Sequence, residues 1–448
     1  MKKRHIADCI NKYAQSGAVR LHMPGHKGYR KGNYGFLKSV YPVDITELSF
    51  SDNLAAPTGI IKSAEDDIAR LCSCNRAHIL TGGSTLGVLA MVCAVKNRGK
   101  KLIISKSSHK SVYNALKLFN IEPVFLQEDL SCGLPSPNYL NANIVENCDN
   151  DVIGALLTSP DYFGRVSDLQ YFASNLKKQG KLLLVDGAHG GHFARTFNNG
   201  YPAKYADIWV DGAHKTLNTL TQGALLLVNN EELEDEVENA LNIFSTSSPN
   251  YIIMASVENG VKDLFELSEK RLNAFENNKK IIENSILDRG FSLLKCDDQF
   301  KITVDFCAKV NGIKAQEEFE KQNIFVELAC DRFMLLMLSP YITKVQALKV
   351  AKAFKGLKLQ MGSEHFGTLF IELERKLSYI NAINAQSELI DLRECAGRIC
   401  AENAGIFPPC YPVITAGEVF DNRVIDQLLH NKSTFGVFDK QVKVVKEF

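Results

Sequence analysis

The chain has almost no excess charge of either sign: 52 basic side chains face 51 acidic ones, a net charge of +1. A nucleic-acid or anionic-membrane partner calls for a basic excess, so neither is expected. There is one tryptophan in 448 residues, and no apolar run comes near the roughly 20 residues of a membrane span. The opening MKKRHIADCINKYAQSG is basic but lacks the apolar stretch of a secretion signal. Twelve cysteines run from Cys9 to Cys410, yet the one close pair, Cys72 and Cys74, lacks the two-residue gap and second pair of a zinc site. They read as reduced thiols in a cytoplasmic protein, with no metal. Internal repeats, low-complexity tracts and Gly/Ser linkers are also missing. What remains is an ordinary soluble composition, 45% hydrophobic and 23% charged, in a chain long enough for two or three packed domains. Small molecules or other subunits are the expected partners.

Apolar runs alternate with helical patterns from about Arg76 to Val228: HIL, TLGVLAMVCAV, KLIIS, SVYNALKLF, VIGALLTS, LQYFASNLKKQ, KLLLVD, ADIWVD, GALLLV. This alternation predicts parallel strands covered by helices on both faces. After Ser247-Ser248-Pro249 a polar, helix-favouring stretch to about Asp288 is expected to lead away from that sheet. FKITVDFCAKV, AQEEFEKQ, IFVELAC and FMLLMLSP then read as a smaller α+β unit. From Thr368 a long helical pattern runs through LFIELERKLSYINAINAQSELIDLRECAGRICAEN to Pro408, Pro409 and Pro412 and a strand-like PVITAGEVF. The expected division is an arm at 1–20, a large domain at 21–288, a small α+β domain at 289–367 and a C-terminal α+β domain at 368–448.

ADIWVDGAHKT is the most informative stretch, because an apolar strand runs straight into His214-Lys215. Open α/β sheets place their ligand chemistry at the carboxyl ends of strands. Upstream, KLLLVDGAHGGHF ends the same way, with Asp186 and then His189. A lysine and an acid on two strand ends suit pyridoxal phosphate, an amine for its aldehyde and a carboxylate for its ring nitrogen. In ILTGGSTLG the chain turns at Gly82-Gly83 into a helix near Ser84 and Thr85, so helix N–H groups and two hydroxyls converge as a phosphate requires. A plain capped helix is the alternative there. His109, at the end of KLIISKSSH, is placed to stack on a cofactor ring or merely to cap the next helix. Asp186 is likewise either a ring partner or a helix cap, and a lone lysine after a strand is usually solvated.

Taken together these stretches resemble the ornithine/lysine/arginine decarboxylases of the aspartate aminotransferase fold, in a short form without an N-terminal wing. The resemblance is carried by LHMPGHKG (21–28), DITEL (44–48), GIIKSAE (59–65), GGSTLG (82–87), SSHKS (107–111), TSPDYFG (158–164), DGAHGGHF (186–193), AHKTL (213–217), SSPNY (247–251) and GRICAENAGIFPPCYPVITAGE (397–418). It implies a large cofactor-binding domain with a mainly parallel seven-stranded sheet. It also implies that Lys215 binds the cofactor aldehyde, His109 stacks on the ring and Asp186 holds the ring nitrogen. Gly83, Ser84, Thr85 and His214 are implied around the phosphate, with His189 beside the cofactor. Thr246 is implied to reach the phosphate of a neighbouring subunit, so that a homodimer, or a dimer of dimers, shares its active sites.

The implied reaction is decarboxylation of arginine, lysine or ornithine to the amine and carbon dioxide, feeding polyamine metabolism. Because the α-carboxylate departs, a fixed arginine clamp on it is not required. The distal cation of such a substrate needs acids, for which Glu47 and Glu418 are candidates. The chain departs from the family pattern at Gly212, where serine is usual, and at Gly187, where glutamate is usual. Cys410, Ala416 and Gly82 depart as well. Loss of one phosphate hydroxyl would cost roughly 1 to 3 kcal/mol. Another pyridoxal-dependent reaction, or a non-catalytic paralogue acting as a subunit or regulator, are the competing readings.

Overall fold

A computed structural model of the chain describes residues 3–28, 35–196, 200–359, 372–406, 411–431 and 433–446. Seven strands form the main sheet: β1 Arg76–Leu80, β2 Lys101–Ser105, β3 Glu122–Leu126, β4 Val152–Thr158, β5 Leu182–Gly187, β6 Ile208–Asp211 and β7 Ala224–Val228. Their order is β1-β7-β6-β5-β4-β2-β3. Strands β2 to β6 pair in parallel, and β7 alone runs against its neighbours β6 and β1. The mainly parallel α/β sheet expected from the alternation is present. Its central strands are near-continuous apolar runs, such as β5 Leu182–Gly187 with every residue buried, because both faces are covered.

Side chains alternate across this sheet and feed two cores. Leu183, Val185 and Trp209 join one core with helices α1 His5–Gln15, α2 Ile60–Cys72 and the helix Tyr251–Glu266. Leu184, Ile208 and Val210 join the other with α3 Gly83–Val95 and α4 Lys110–Phe119. Asp186 therefore faces the α3/α4 side and Asp211 the opposite side. Each fully buried aliphatic or aromatic side chain contributes about 1.5–3 kcal/mol, offset by the entropy of ordering the chain.

The first twenty residues are more than an arm. Helix α1 buries Ile6 and Ile10, and Arg4 pairs with Asp263 and Glu266 at 2.9 Å each. The polar stretch after Pro249 divides at Ser268 into two helices. Tyr251–Glu266 packs into the sheet's core, and only Glu269–Leu287 leads outward. The small unit is an antiparallel four-stranded sheet with its own core: Ser292–Leu293, Lys301–Asp305, Phe333–Met337 and Leu328–Ala329.

The long helix read from Thr368 is corrected. Thr368 lies outside the described residues, and the later part of that stretch forms a short helix Tyr379–Asn384 and a strand Ser387–Asp391 paired with Gln441–Val445. The three-residue spacing of Leu392 and Cys395 is spent on one 3-10 turn, which drops both into the C-terminal core. Pairing with a strand some fifty residues later overrode local helical periodicity. The strand-like PVITAGEVF is a strand only as far as Ile414, within Tyr411–Ile414; from Thr415 the chain turns, with Gly417 at φ +89°, and Pro408, Pro409 and Cys410 lie outside the described residues.

Candidate active site

Strand β6 ends at Asp211, and after Gly212 the chain makes the single helical turn Ala213–Thr216 that carries Lys215. The turn after β5 brings His189 to meet it, with Nε2 3.1 Å from Lys215 Nζ. Burial, then Lys215, Lys301, His109 and His214, hold the His189 imidazole well below its ordinary pKa. The lowered pKa keeps the ring neutral, and with Nε2 assigned as acceptor from Lys215 Nζ the ring proton sits on Nδ1. That Nδ1 is buried with no partner among the described residues. Asp186, one strand over and 3% exposed, accepts from the Ala188 N–H at 3.1 Å.

Helix α3 starts at the end of β1 with Gly82 as its cap and no side chain capping it. Ser84 Oγ is buried there without a hydrogen-bond partner among the described residues, and Thr85 is exposed. The Gly83 N–H is taken by the Gln222 carbonyl at 2.8 Å. A Cβ at Gly212 would stand 2.8 Å from Ser84 Oγ and 2.4 Å from the Ala188 carbonyl, so the serine usual at this position does not fit here. His214 Nδ1 donates to the Gly223 carbonyl at 2.8 Å, and burial lowers its pKa. Thr246 is exposed in the loop before Tyr251, its hydroxyl accepting from Ser248 N–H at 3.2 Å.

His109 caps α4: its Nδ1 accepts from the Ser111 N–H at 3.2 Å. Burial lowers its pKa; Asp186 pulls it up and Lys215 pushes it down, so the three groups share one electrostatic neighbourhood. The candidate substrate acids are not brought together. Glu47 accepts from Thr46 Oγ1 at 2.8 Å, and Glu418 has both oxygens engaged, by Lys106 Nζ at 2.9 Å and the Thr415 N–H at 2.7 Å.

Another acid does reach the site. Glu327, exposed on the small unit, accepts from the Tyr162 hydroxyl at 2.6 Å, and the Tyr162 ring lies edge-on to His189 at 5.1 Å. Its signal in the sequence is slight, a single acid inside the apolar run IFVELAC. A second contact between units was also unread. Lys301, buried on the strand Lys301–Asp305, donates to the Asp161 carbonyl at 3.2 Å, beside a hydrogen bond of 2.7 Å between His192 Nε2 and Asp298 Oδ1, both side chains fully buried. Burial lowers the Lys301 pKa, against the pull of Asp298.

The Gly187 departure has a packing reason. In register, Gly187 lies beside Asp211, and a Cβ on Gly187 would stand 2.9 Å from Asp211 Oδ1. The chain thus keeps a buried carboxyl group in this space, supplied from the adjacent strand. Burial pushes Asp211 up to about 7, although the Tyr201 hydroxyl donates to it at 2.8 Å.

These residues fit pyridoxal phosphate. A helix start that no side chain caps, with a buried hydroxyl that has no partner among the described residues, suits its phosphate, an amine at a strand mouth its aldehyde, and a buried carboxylate one strand over its ring nitrogen. Comparison with known proteins agrees. Residues 6–300 match the family model for the Orn/Lys/Arg decarboxylase major domain, and residues 364–439 match that for its C-terminal domain. An uncharacterized protein of Bacillus subtilis, YaaO, is 28% identical over 97% of both chains. An arginine decarboxylase of the same organism is 26% identical over 94% of this chain and 92% of its own. The constitutive lysine decarboxylase of E. coli superposes with a TM-score of 0.79 at 17% identity, covering 99% of this chain and 82% of its own. The chain belongs to the Orn/Lys/Arg decarboxylase family and is a pyridoxal phosphate-dependent decarboxylase.

Proposed function

We propose that the enzyme removes the α-carboxylate of arginine, lysine or ornithine, and that Lys215 holds the cofactor. The observation carrying this is Lys215 Nζ, 3.1 Å from a neutral His189 and one strand from the buried Asp186. Bound here, pyridoxal phosphate supplies the electron sink that takes up the pair left by departing carbon dioxide. Asp186 keeps a proton on the ring nitrogen. His109 stacks on the ring while its Nδ1 remains fixed by the Ser111 N–H. Gly83, Ser84, Thr85 and His214 surround the phosphate, and the exposed Thr246 reaches that of a partner subunit in a homodimer. His189 orients the Lys215 amine, the group that returns a proton to the substrate carbon.

Glu327 is our choice for the substrate's distal cation, because it is exposed, acidic and one tyrosine away from His189. Glu47 remains a second candidate, and Glu418 gives way to Glu327 because its oxygens are engaged. We further read the chain as a cytoplasmic supplier of polyamine precursors, divided near residues 20, 288 and 367. The test is carbon dioxide release from each amino acid in turn, with purified protein and added pyridoxal phosphate. Release from one of the three names substrate and product together. Silence from all three, with cofactor bound, overturns the basic-substrate reading.

A further inference from the structure

The loop 106–109 connects β2 to α4 and ends in His109, so whatever fixes it also fixes that imidazole. Three side chains hold it. The Tyr113 hydroxyl donates to the Lys106 carbonyl at 2.6 Å. The carboxyl group of Glu128 accepts from Ser105 Oγ at 2.5 Å and from Ser107 Oγ. The third comes from 312 positions away: Lys106 Nζ meets Glu418 Oε1 at 2.9 Å, with side chains 18% and 7% exposed.

Glu418 is itself held rigidly. Its other oxygen accepts from the Thr415 N–H, and Arg375 Nη2 stands 3.7 Å from the Oε1 that meets Lys106. Arg375 in turn donates to the Ala416 carbonyl and Thr415 Oγ1, both at 2.6 Å. The surrounding surface is docked as well. Glu122, on β3, accepts from the Tyr379 and Ile380 N–H groups at 2.7 and 2.9 Å, and the Tyr379 ring packs on Tyr113 at 5.7 Å. A charge pair this sheltered is costly to break from one side only, because the shortest charge-assisted contact of a poorly hydrated group is lost while its remaining neighbours, such as Arg375 at 3.7 Å from Glu418, stand farther off.

We propose that the C-terminal unit sets the position of His109, with the Lys106–Glu418 pair as the clamp. Both are positioning residues, acting on the cofactor through the 106–109 loop; the proposal rests on the reading that His109 stacks on the ring. The test uses full-length Lys106→Met, Glu418→Gln and their double variant, with Lys106→Arg as the conservative replacement. Readouts are the pyridoxal phosphate dissociation constant and the visible circular dichroism band of the bound cofactor. Far-ultraviolet dichroism confirms that each variant is folded.

The expected result is a roughly tenfold weaker cofactor in each single variant. The dichroism band should change, the double variant should be no worse than the singles, and Lys106→Arg should stay near wild type. Unchanged affinity and an unchanged band in folded single variants overturn the clamp. Additive losses in the double variant overturn it too, since independent sites add. His109→Ala separates the two ideas. If it leaves the band untouched, the stacking reading fails and the clamp with it; if it alters the band while the pair variants do not, only the clamp fails.

Discussion

Lys215 and Glu327 illustrate how differently single residues announce themselves. Lys215 follows, on the turn Ala213–Thr216, a strand whose apolar run is unmistakable, so its place at the sheet mouth was legible. Lys215→Ala should abolish the visible absorbance of the held cofactor and lower carbon dioxide release by at least roughly 10³-fold. Retained activity would remove Lys215 from the site. Glu327 was not legible, because its meaning depends on Tyr162, 165 positions away, and on His189 beyond it. Glu327→Gln should raise KM for the basic substrate roughly 10- to 100-fold with a smaller fall in kcat, as loss of a charge-assisted contact does. Steady-state kinetics on the substrate found active decides this.

At the scale of elements, the turns after β5 and β6 are fitted to each other through their glycines. Gly212→Ser restores the residue usual in the family, yet its side chain must displace the Ala188 carbonyl or Ser84 Oγ. Cofactor titration of that variant should therefore show weaker binding, by roughly 1 kcal/mol or more. Tighter binding would mean that the two turns yield easily. The N-terminal helix gives a second case. Glu258, fully buried, accepts from the His5 and Ile6 N–H groups at 2.6 and 2.9 Å and pairs with the equally hidden Lys262 at 2.8 Å. Glu258→Ala strands the two N–H groups at the helix start, whereas Lys262 keeps Asp67 at 2.8 Å and the Lys3 carbonyl at 2.6 Å; it should cost about 1–3 kcal/mol in denaturant unfolding. The sequence predicted the strands and helices of the main sheet, where amphipathic or apolar period was strong, and read the N-terminal helix only as an arm. It failed on the stretch after Thr368, where a strand pairing with Gln441–Val445 is not written locally.

For the whole molecule, burial of carboxyl groups makes stability depend on pH. Burial pushes Glu65 up to about 8, Asp211 to about 7 and Glu128 to about 6. Each keeps its proton in the fold at pH values where the unfolded chain has lost it, so the native state binds more protons. Stability contributed by these three groups is therefore full below about pH 4 and falls as pH rises through 6 to 8. Burial holds His78 down to about 4, which acts in the other direction, removing stability as pH falls from about 6.5 to 4. Asp211→Asn should flatten the decline between pH 5 and about 7 in thermal midpoints; an unchanged slope would show that Asp211 is ionised throughout. By itself the sequence determined the sheet, its two-sided burial and the lysine and acid at the ends of two of its strands, because period and punctuation are local properties of the chain. Only the tertiary structure decided that Asp211 fills the space beside Gly187, that Glu327 reaches Tyr162 and that Glu418 binds Lys106. Each of those contacts joins residues far apart in sequence, and the distance between them is fixed by packing alone.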